Sequence, residues 1–248
     1  MGGAARNEKK RRQDAAAQRL AAAGIEVPPT KAPNRTMIIV AAVLAVALVA
    51  GLAVWFLRGS GTAATPTYTA SQSGAVVTVG SGPVVVDVYE DYLCPICERF
   101  EERYGSDLTT ALNNNQITVR YHSIAILDNL TTPAGYSTRA ANAALCSVAA
   151  GIFPAYHKQL FDSQPAERSA GLTDAELIAL GTDLGAQGDF AGCVNGATNA
   201  GAITSETEKA SSTAALQTDG QFGTPTVAID GKKIDLNDSE WLENAIAG

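Results

Sequence analysis

Apolar and polar positions change their spacing several times along the 248-residue chain, and each change predicts a different element. Residues 37–57 are apolar and uncharged throughout. At about 1.5 Å per residue, a helix of this length crosses the roughly 30 Å apolar layer of a bilayer. A cleaved signal peptide is the alternative, but its apolar region is usually only about 7–15 residues long. We therefore expect one uncleaved transmembrane helix over residues 37–57.

The segment before this span, residues 1–36, is a basic tail with eight basic and three acidic residues, whereas only Arg58 follows the span closely. By the positive-inside rule, the tail is cytoplasmic and the chain beyond residue 57 is extracytoplasmic. Such a tail also suits RNA or anionic lipid, although the simpler interpretation is a solvated segment that sets the topology.

The chain beyond the span divides into a tether and a domain. Residues 58–73 are rich in Gly, Ser, Thr and Ala and predict a flexible tether, and residues 74–248 are long enough for one domain. After Arg58 the chain has 9 basic and 22 acidic residues, a formal charge of −13. This acidic balance argues against nucleic acid as a partner.

Within the domain the apolar period first alternates between strand and helix. Val-rich runs predict strands at 75–79 and 84–89, and the second is apolar enough to be a central strand. An apolar residue at every fourth position then predicts a helix from 97 to about 113, and strand character returns over 117–126.

The second half of the domain begins with an inserted helical block at about 128–217. Three Ala-rich segments of this block predict helices: 137–161, 174–184 and 189–216. Strands resume at 226–229 and 233–236 across an Asp-Gly hairpin turn, and a short helix at 238–247 ends the chain.

The candidate chemistry lies between the central strand and the first helix, where Cys94 and Cys97 are separated by two residues. Disulfide exchange needs one accessible, ionised thiol and a second thiol close enough to resolve a mixed disulfide. At the amino end of a helix, backbone N–H groups and the helix dipole favour a thiolate. Pro95 suits the first helical turn, where no N–H is needed. We predict that Cys94 is the attacking thiol and Cys97 the resolving thiol.

Two features around Cys94 oppose its ionisation. Ile96 offers no side-chain donor to the sulfur. Glu90, Asp91 and Glu98 bring negative charge close to Cys94, and negative charge disfavours a thiolate.

The two other cysteines, Cys146 and Cys193, both lie in the helical block, 47 positions apart. Four cysteines in an exported domain are more simply two pairs than one pair and two spare thiols, so we predict a structural disulfide between them. Two reduced thiols, a second redox pair, or a metal site that uses all four cysteines remain open. We expect no metal, because the two C-x-x-C pairs of a zinc ribbon are absent from the sequence.

The order of elements, with the motifs DYLCPIC at 91–97 and GTPT at 223–226, resembles a DsbA-like thiol:disulfide oxidoreductase of the thioredoxin-fold family. The resemblance covers residues 76–248. It implies an α/β, thioredoxin-like fold with an inserted helical subdomain. It also implies that Pro225 is a cis proline lying against the active-site disulfide, where Thr224 presents its backbone to a substrate; without the family, an ordinary trans turn is the expectation.

The resemblance further implies an enzyme that donates the Cys94–Cys97 disulfide to cysteine-containing exported proteins and needs no soluble cofactor. A quinone-linked membrane oxidase, of the DsbB or vitamin K epoxide reductase-like (VKOR-like) type, then reoxidises it. This sequence departs from the family at two positions. The strongest oxidants carry His where Ile96 stands, and the usual buried carboxylate is replaced by Val88, which leaves Asp87 and Glu90 as candidates for proton transfer at Cys97.

Three alternatives remain at this point. The same fold can run in reverse as a reductase or isomerase. The C-x-x-C pair can instead be an inert structural disulfide of an exported binding or chaperone module, with a Cys94 that does not react at neutral pH. In a metal-delivery protein, reduced Cys94 and Cys97 would bind Cu(I).

Overall fold

The computed structural model describes residues 8, 11, 15 and 65–248 of the chain. The predicted span at 37–57, nearly all of the tail at 1–36 and the start of the tether lie outside the described residues. Among the residues that are described, no helix is both long and apolar enough to cross a membrane. The described residues from 65 onwards belong to one compact unit.

Residues 65–248 form six strands and seven α-helices. The strands are β1 Ala70–Ser73, β2 Val76–Gly80, β3 Val84–Glu90, β4 Ile117–Ser123, β5 Thr226–Ile229 and β6 Lys232–Lys233. The helices are α1 Pro95–Asn113, α2 Tyr136–Ala149, α3 Phe153–Asp162, α4 Asp174–Asp183, α5 Phe190–Asn195, α6 Ala200–Ser212 and α7 Trp241–Ala247. Two short 3-10 helices lie in the connections, at Asp128–Leu130 and Ala214–Leu216.

The strands form one mixed sheet in the order β1-β2-β4-β3-β5-β6. The strand β3 is central, parallel to β4 and antiparallel to β5. Its Val86 and Val88 are completely buried, in agreement with the apolar run that predicted a central strand. The sheet, the helix α1 and the inserted helices α2–α6 confirm the predicted α/β, thioredoxin-like fold with a helical insertion.

The structure differs from the predicted elements mainly at their ends. Residues 70–73, expected to belong to the tether, form the edge strand β1. The strand predicted at 117–126 ends at Ser123, because the chain then turns away and Ala125 donates its N–H to Thr207 on α6. The strand predicted at 233–236 is only Lys232–Lys233.

Two of the predicted helices are divided, and one is shortened. The segment 137–161 forms α2 and α3, separated at Gly151, whose φ of +76° is a left-handed conformation that ends a helix. The segment 189–216 forms α5, α6 and a 3-10 helix, with a turn at Ala197 (φ +47°) between the first two. The last helix begins at Trp241, because Asp238 accepts the N–H of Glu240 in a turn.

A disulfide holds the insertion together. Cys146 on α2 and Cys193 on α5 are joined, with their Cα atoms 5.9 Å apart. Asn142, one turn before Cys146, also accepts the N–H of Asn199 at 2.9 Å just before α6. The pairing that the sequence left open is therefore a disulfide that links the helices of the insertion.

A buried ionic network fixes α6 on the sheet. Nε2 of His122 lies 2.9 Å from Asp87, and Nδ1 of the same ring lies 2.7 Å from Glu206 on α6. Arg120 donates to both carboxylate oxygens of Asp87 and shares Oδ1 with His122. Burial opposes a charged ring, but the hydrogen bonds that the ring donates to the two carboxylates outweigh it and raise the pKa of His122.

Candidate active site

The two cysteines of the C-x-x-C motif sit at the first turn of α1, where β3 has just ended. Cys94 is the residue before the helix, with extended φ and ψ of −76° and 115°, and Pro95 is the first helical residue. The carbonyl of Cys94 accepts the N–H groups of Cys97 and Glu98 at 3.0 and 3.2 Å. Both cysteines are free thiols, and they are 6% and 1% exposed.

The two thiols have opposite acidities. A hydrogen bond from Cys97, which outweighs the cost of burial, and the backbone N–H groups of the helix start lower the pKa of Cys94 to about 6. Burial raises the pKa of Cys97 well above its ordinary value, and its hydrogen bond to Cys94 adds to the rise. At neutral pH the reduced pair therefore consists of a Cys94 thiolate and a Cys97 thiol.

The loop before β5 lies against the thiols. The Thr224–Pro225 peptide bond is cis. Sγ of Cys94 lies 3.3 Å from the carbonyl oxygen of Thr224, which accepts a hydrogen bond only from the protonated thiol. The side chains of Ile96 and Pro225 line the same surface groove. The structure thus brings together the motif residues and the Thr-Pro loop, which are about 130 positions apart in the sequence.

A glutamine of the insertion also reaches the active-site loop. Nε2 of Gln164, two residues after α3, donates to the carbonyl oxygens of Tyr92 and Cys94 at 3.1 and 3.2 Å. Sequence reasoning did not identify Gln164, since no spacing signal connects it with residues some 70 positions away.

The acidic residue that directly follows β3, Asp91, braces the same loop. Its carboxylate accepts the N–H groups of Leu93 and Leu127 at 2.9 and 3.0 Å, and its carbonyl accepts the N–H of Cys94. Complete burial raises the pKa of Asp91 to about 7, with a contribution from the negative charge of Cys94. Asp91 is therefore partly protonated at neutral pH, which weakens the repulsion of the thiolate expected from the sequence.

The two carboxylates considered for proton transfer lie in different places. Asp87 faces His122 and Arg120 and serves the network at α6. Glu90 is on the active-site side, and its negative charge is one of the groups that raise the pKa of Cys97. Oε1 of Glu90 lies 2.6 Å from Nε2 of His157 on α3.

Glu90 belongs to a buried group with His157 and Glu101 of α1. The carboxylate oxygens and the ring nitrogen that are available as metal ligands lie within 4.8 Å of one another. Among the described residues, these three side chains are the one set of acidic, His or Cys residues whose atoms lie close enough together to hold a metal ion. Burial raises the pKa of Glu101 to about 7. For His157, the charges of Glu90 and Glu101 outweigh burial and raise the pKa to about 9. An acidic residue one turn beyond Cys97 was the available signal for Glu101.

Comparison with known proteins places this geometry in a family. The family model described as "Thioredoxin" matches residues 75–247. The chain belongs to the thioredoxin family. The chain also aligns over 178 residues, at 32% identity, with the serine/threonine-protein kinase PknE of Mycobacterium tuberculosis. That alignment takes in 68% of this chain but 31% of the kinase, so the chain spans about a third of the length of the curated relatives it matches.

Solved structures agree with this assignment. The thioredoxin domain resembles reduced DsbA from Mycobacterium tuberculosis with a TM-score of 0.58 and 28% identity, over 74% of this chain and 88% of that one. It also resembles MdbA, a thiol-disulfide oxidoreductase from Corynebacterium diphtheriae, with a TM-score of 0.64 over 75% of this chain and 96% of that one. At 23% identity the second likeness concerns the fold alone. Residues 75–247 thus form a thioredoxin domain that resembles DsbA-type thiol-disulfide oxidoreductases.

Proposed function

We propose that the chain is a protein disulfide oxidase that donates the Cys94–Cys97 disulfide to cysteine-containing exported proteins. A thiolate of the client attacks Sγ of Cys94, forms a mixed disulfide and releases Cys97 as a thiolate, which takes up a proton. A second client thiolate then attacks the client sulfur of the mixed disulfide and releases the Cys94 thiolate. The client loses two electrons, and the enzyme is left with a Cys94 thiolate and a protonated Cys97.

The acidity of Cys94 is the observation that supports this direction of transfer. A pKa of about 6 means that the reduced enzyme holds a stable thiolate at neutral pH. An exchange enzyme whose reduced form is stabilised is a stronger oxidant, since the equilibrium favours passing its disulfide on. Cys97, whose pKa is raised, is then protonated and does not attack the mixed disulfide to reverse the first step.

The location and partners of the enzyme are part of the same proposal. The apolar run 37–57 and the basic tail support an anchored protein with an extracytoplasmic domain. The Cys146–Cys193 disulfide suits an oxidising compartment. Each turnover leaves Cys94 and Cys97 reduced, so a membrane oxidase linked to quinone, of the DsbB or VKOR-like type, completes the cycle.

The equilibrium potential of Cys94–Cys97 tests this proposal. The full-length protein is equilibrated with glutathione buffers, and the redox state of the pair is read by alkylation and peptide mass, which distinguishes it from Cys146–Cys193. A potential above about −180 mV supports the oxidase. A value near or below about −270 mV, the range of thioredoxin, overturns it and favours a reductase.

A further inference from the structure

A surface groove of about 530 Å³ lies beside the thiols, between the start of α1 and the Thr-Pro loop. Its apolar floor includes Ile96, Phe100, Pro225 and Leu236. Ile96 is 53% exposed. Among the described residues it is the one large apolar side chain that is exposed to solvent. An exposed apolar side chain next to a reactive thiol marks a contact surface for a partner.

The rim of this groove carries a charge opposite to that of the domain. Arg99 and Arg103 are one helical turn apart on α1, and both line the groove together with Glu102, which leaves a net positive rim. Over residues 59–248 the acidic residues outnumber the basic ones by 22 to 9. The two arginines therefore form a local positive patch on a domain whose net charge is negative.

Neither arginine has a carboxylate partner among the described residues. Within residues 65–248, Arg120, Arg139, Lys158 and Lys209 each pair with a carboxylate. In the same range Arg99 and Arg103, like the two lysines of β6, form no ion pair. The guanidinium of Arg103 lies 5.0 Å from the ring centre of Tyr104, which holds it over the groove while its donors stay free. Both side chains are exposed and available to an anionic partner.

We propose that this groove selects client segments that carry a carboxylate close to the reacting cysteine. The client lies extended between α1 and the Thr224–Pro225 loop, with an apolar side chain on Ile96 and an Asp or Glu side chain at Arg99 and Arg103. This inference rests on the proposed exchange activity and assigns the clients of that site. Opposite charges steer encounter and fix register, so the preference lies in the rate of transfer.

Three reduced dicysteine peptides that differ only in the residue beside the cysteine, Asp, Ser or Lys, test the preference. The oxidised full-length protein is mixed with each peptide, and the second-order rate constant for loss of the Cys94–Cys97 disulfide is measured. Flanking charge also changes the reactivity of the peptide thiol itself. Each rate constant is therefore divided by that of the same peptide with an uncharged reference disulfide, bis(2-hydroxyethyl) disulfide.

The expected result is a corrected rate constant about tenfold larger for the Asp peptide than for the Lys peptide, since each exposed ion pair contributes a factor of about five at most. The Arg99→Glu/Arg103→Glu variant should abolish or reverse this ratio, while its rate with the Ser peptide reports that the site is intact. Lys232→Glu changes the charge by the same amount per residue but lies outside the groove. It should leave the ratio of the Asp and Lys peptide rate constants unchanged. Salt at about 1 M, where the screening length is about 3 Å, should also remove it.

Two results overturn the inference while the proposed function stands. One is equal corrected rates for all three peptides, and the other is a preference that survives in the double arginine variant. If no peptide reduces the Cys94–Cys97 disulfide, the proposed exchange activity itself is wrong.

Discussion

His157 on α3 and Glu90 at the end of β3 form a buried hydrogen bond, with 2.6 Å between Nε2 and Oε1. The ring lies among four aromatic side chains, those of Tyr92, Tyr121, Phe153 and Phe161. In such surroundings a charged imidazole persists only because carboxylates compensate it. The helical insertion therefore supplies a cation directly beneath the active-site strand.

This pair predicts how His157 titrates. Its imidazole should titrate near pH 9 in the native protein, since the charges of Glu90 and Glu101 overcome burial and raise its pKa. Glu90→Gln should lower that pKa, because it removes the largest stabilising charge. The measurement is an NMR titration of the histidine ring, with His122 as the internal comparison. An unchanged His157 pKa in the variant would contradict the role of Glu90.

The free energy of unfolding should depend on the protonation of His157. The pKa of His157 is raised on folding from about 6.5 to about 9. Its contribution is complete below about pH 6.5 and is lost as the pH rises through about 9, an effect on the order of 3 kcal/mol. The free energy of unfolding in urea should thus fall between pH 6.5 and 9, and less steeply in Glu90→Gln. Parallel pH profiles in the two proteins would contradict this.

The acidity of Cys94 should depend on Asp91. Alkylation of Cys94 should reach half its maximal rate near pH 6. Asp91 is mostly protonated at this pH because its pKa is about 7, so Asp91→Asn removes only a small remaining negative charge and should move the midpoint slightly to lower pH. Asp107→Asn, the same substitution at an exposed position on α1, is the matched control and should not move it. A midpoint that rises in Asp91→Asn would show that the brace to Leu127 matters more than the charge.

The Cys146–Cys193 disulfide should support stability rather than electron transfer. The Cys146→Ser/Cys193→Ser variant should unfold about 2–4 kcal/mol more easily, because the unfolded chain loses a constraint across 47 positions. Its exchange rate with a small peptide should stay within about twofold. A folded variant that no longer exchanges would instead make this pair a second redox centre.

Gln164 should position the active-site loop. Gln164→Ala leaves the carbonyl groups of Tyr92 and Cys94 without this donor, at a cost of about 1–3 kcal/mol in unfolding free energy. We expect the exchange rate to fall several-fold as the loop loosens. The control is Gln159→Ala on α3. It removes a hydrogen bond to Ser163 but no contact with the active-site loop. Equal losses in both variants would show a general effect on α3.

Much of the fold follows from local patterns. The Val-rich run predicted β3 as the central strand, and the fourfold apolar spacing predicted α1 to within two residues at its start. The placement of Cys94 before Pro95 also follows from local chemistry, because a proline at the first helical position leaves the preceding residue as the cap.

Other features depend on contacts that no local pattern encodes. The division of the segment 137–161 rests on one left-handed glycine, Gly151, and β1 forms only because β2 offers it an edge to pair with. The effect of the charges near Cys94 was not encoded locally either. Burial keeps Asp91 partly protonated, which weakens the repulsion between Asp91 and the Cys94 thiolate that the sequence suggested.

The sequence by itself determined the order of strands and helices, the thiol pair at a helix start and the Thr-Pro turn before a strand, since each is a property of neighbouring residues. The tertiary structure decided the acidities and contacts of the site. Gln164, His157 and Thr224 reach it from about 70 to 130 positions away. A pKa depends on burial and on charges close in space, and only the folded insertion and loop bring those groups together.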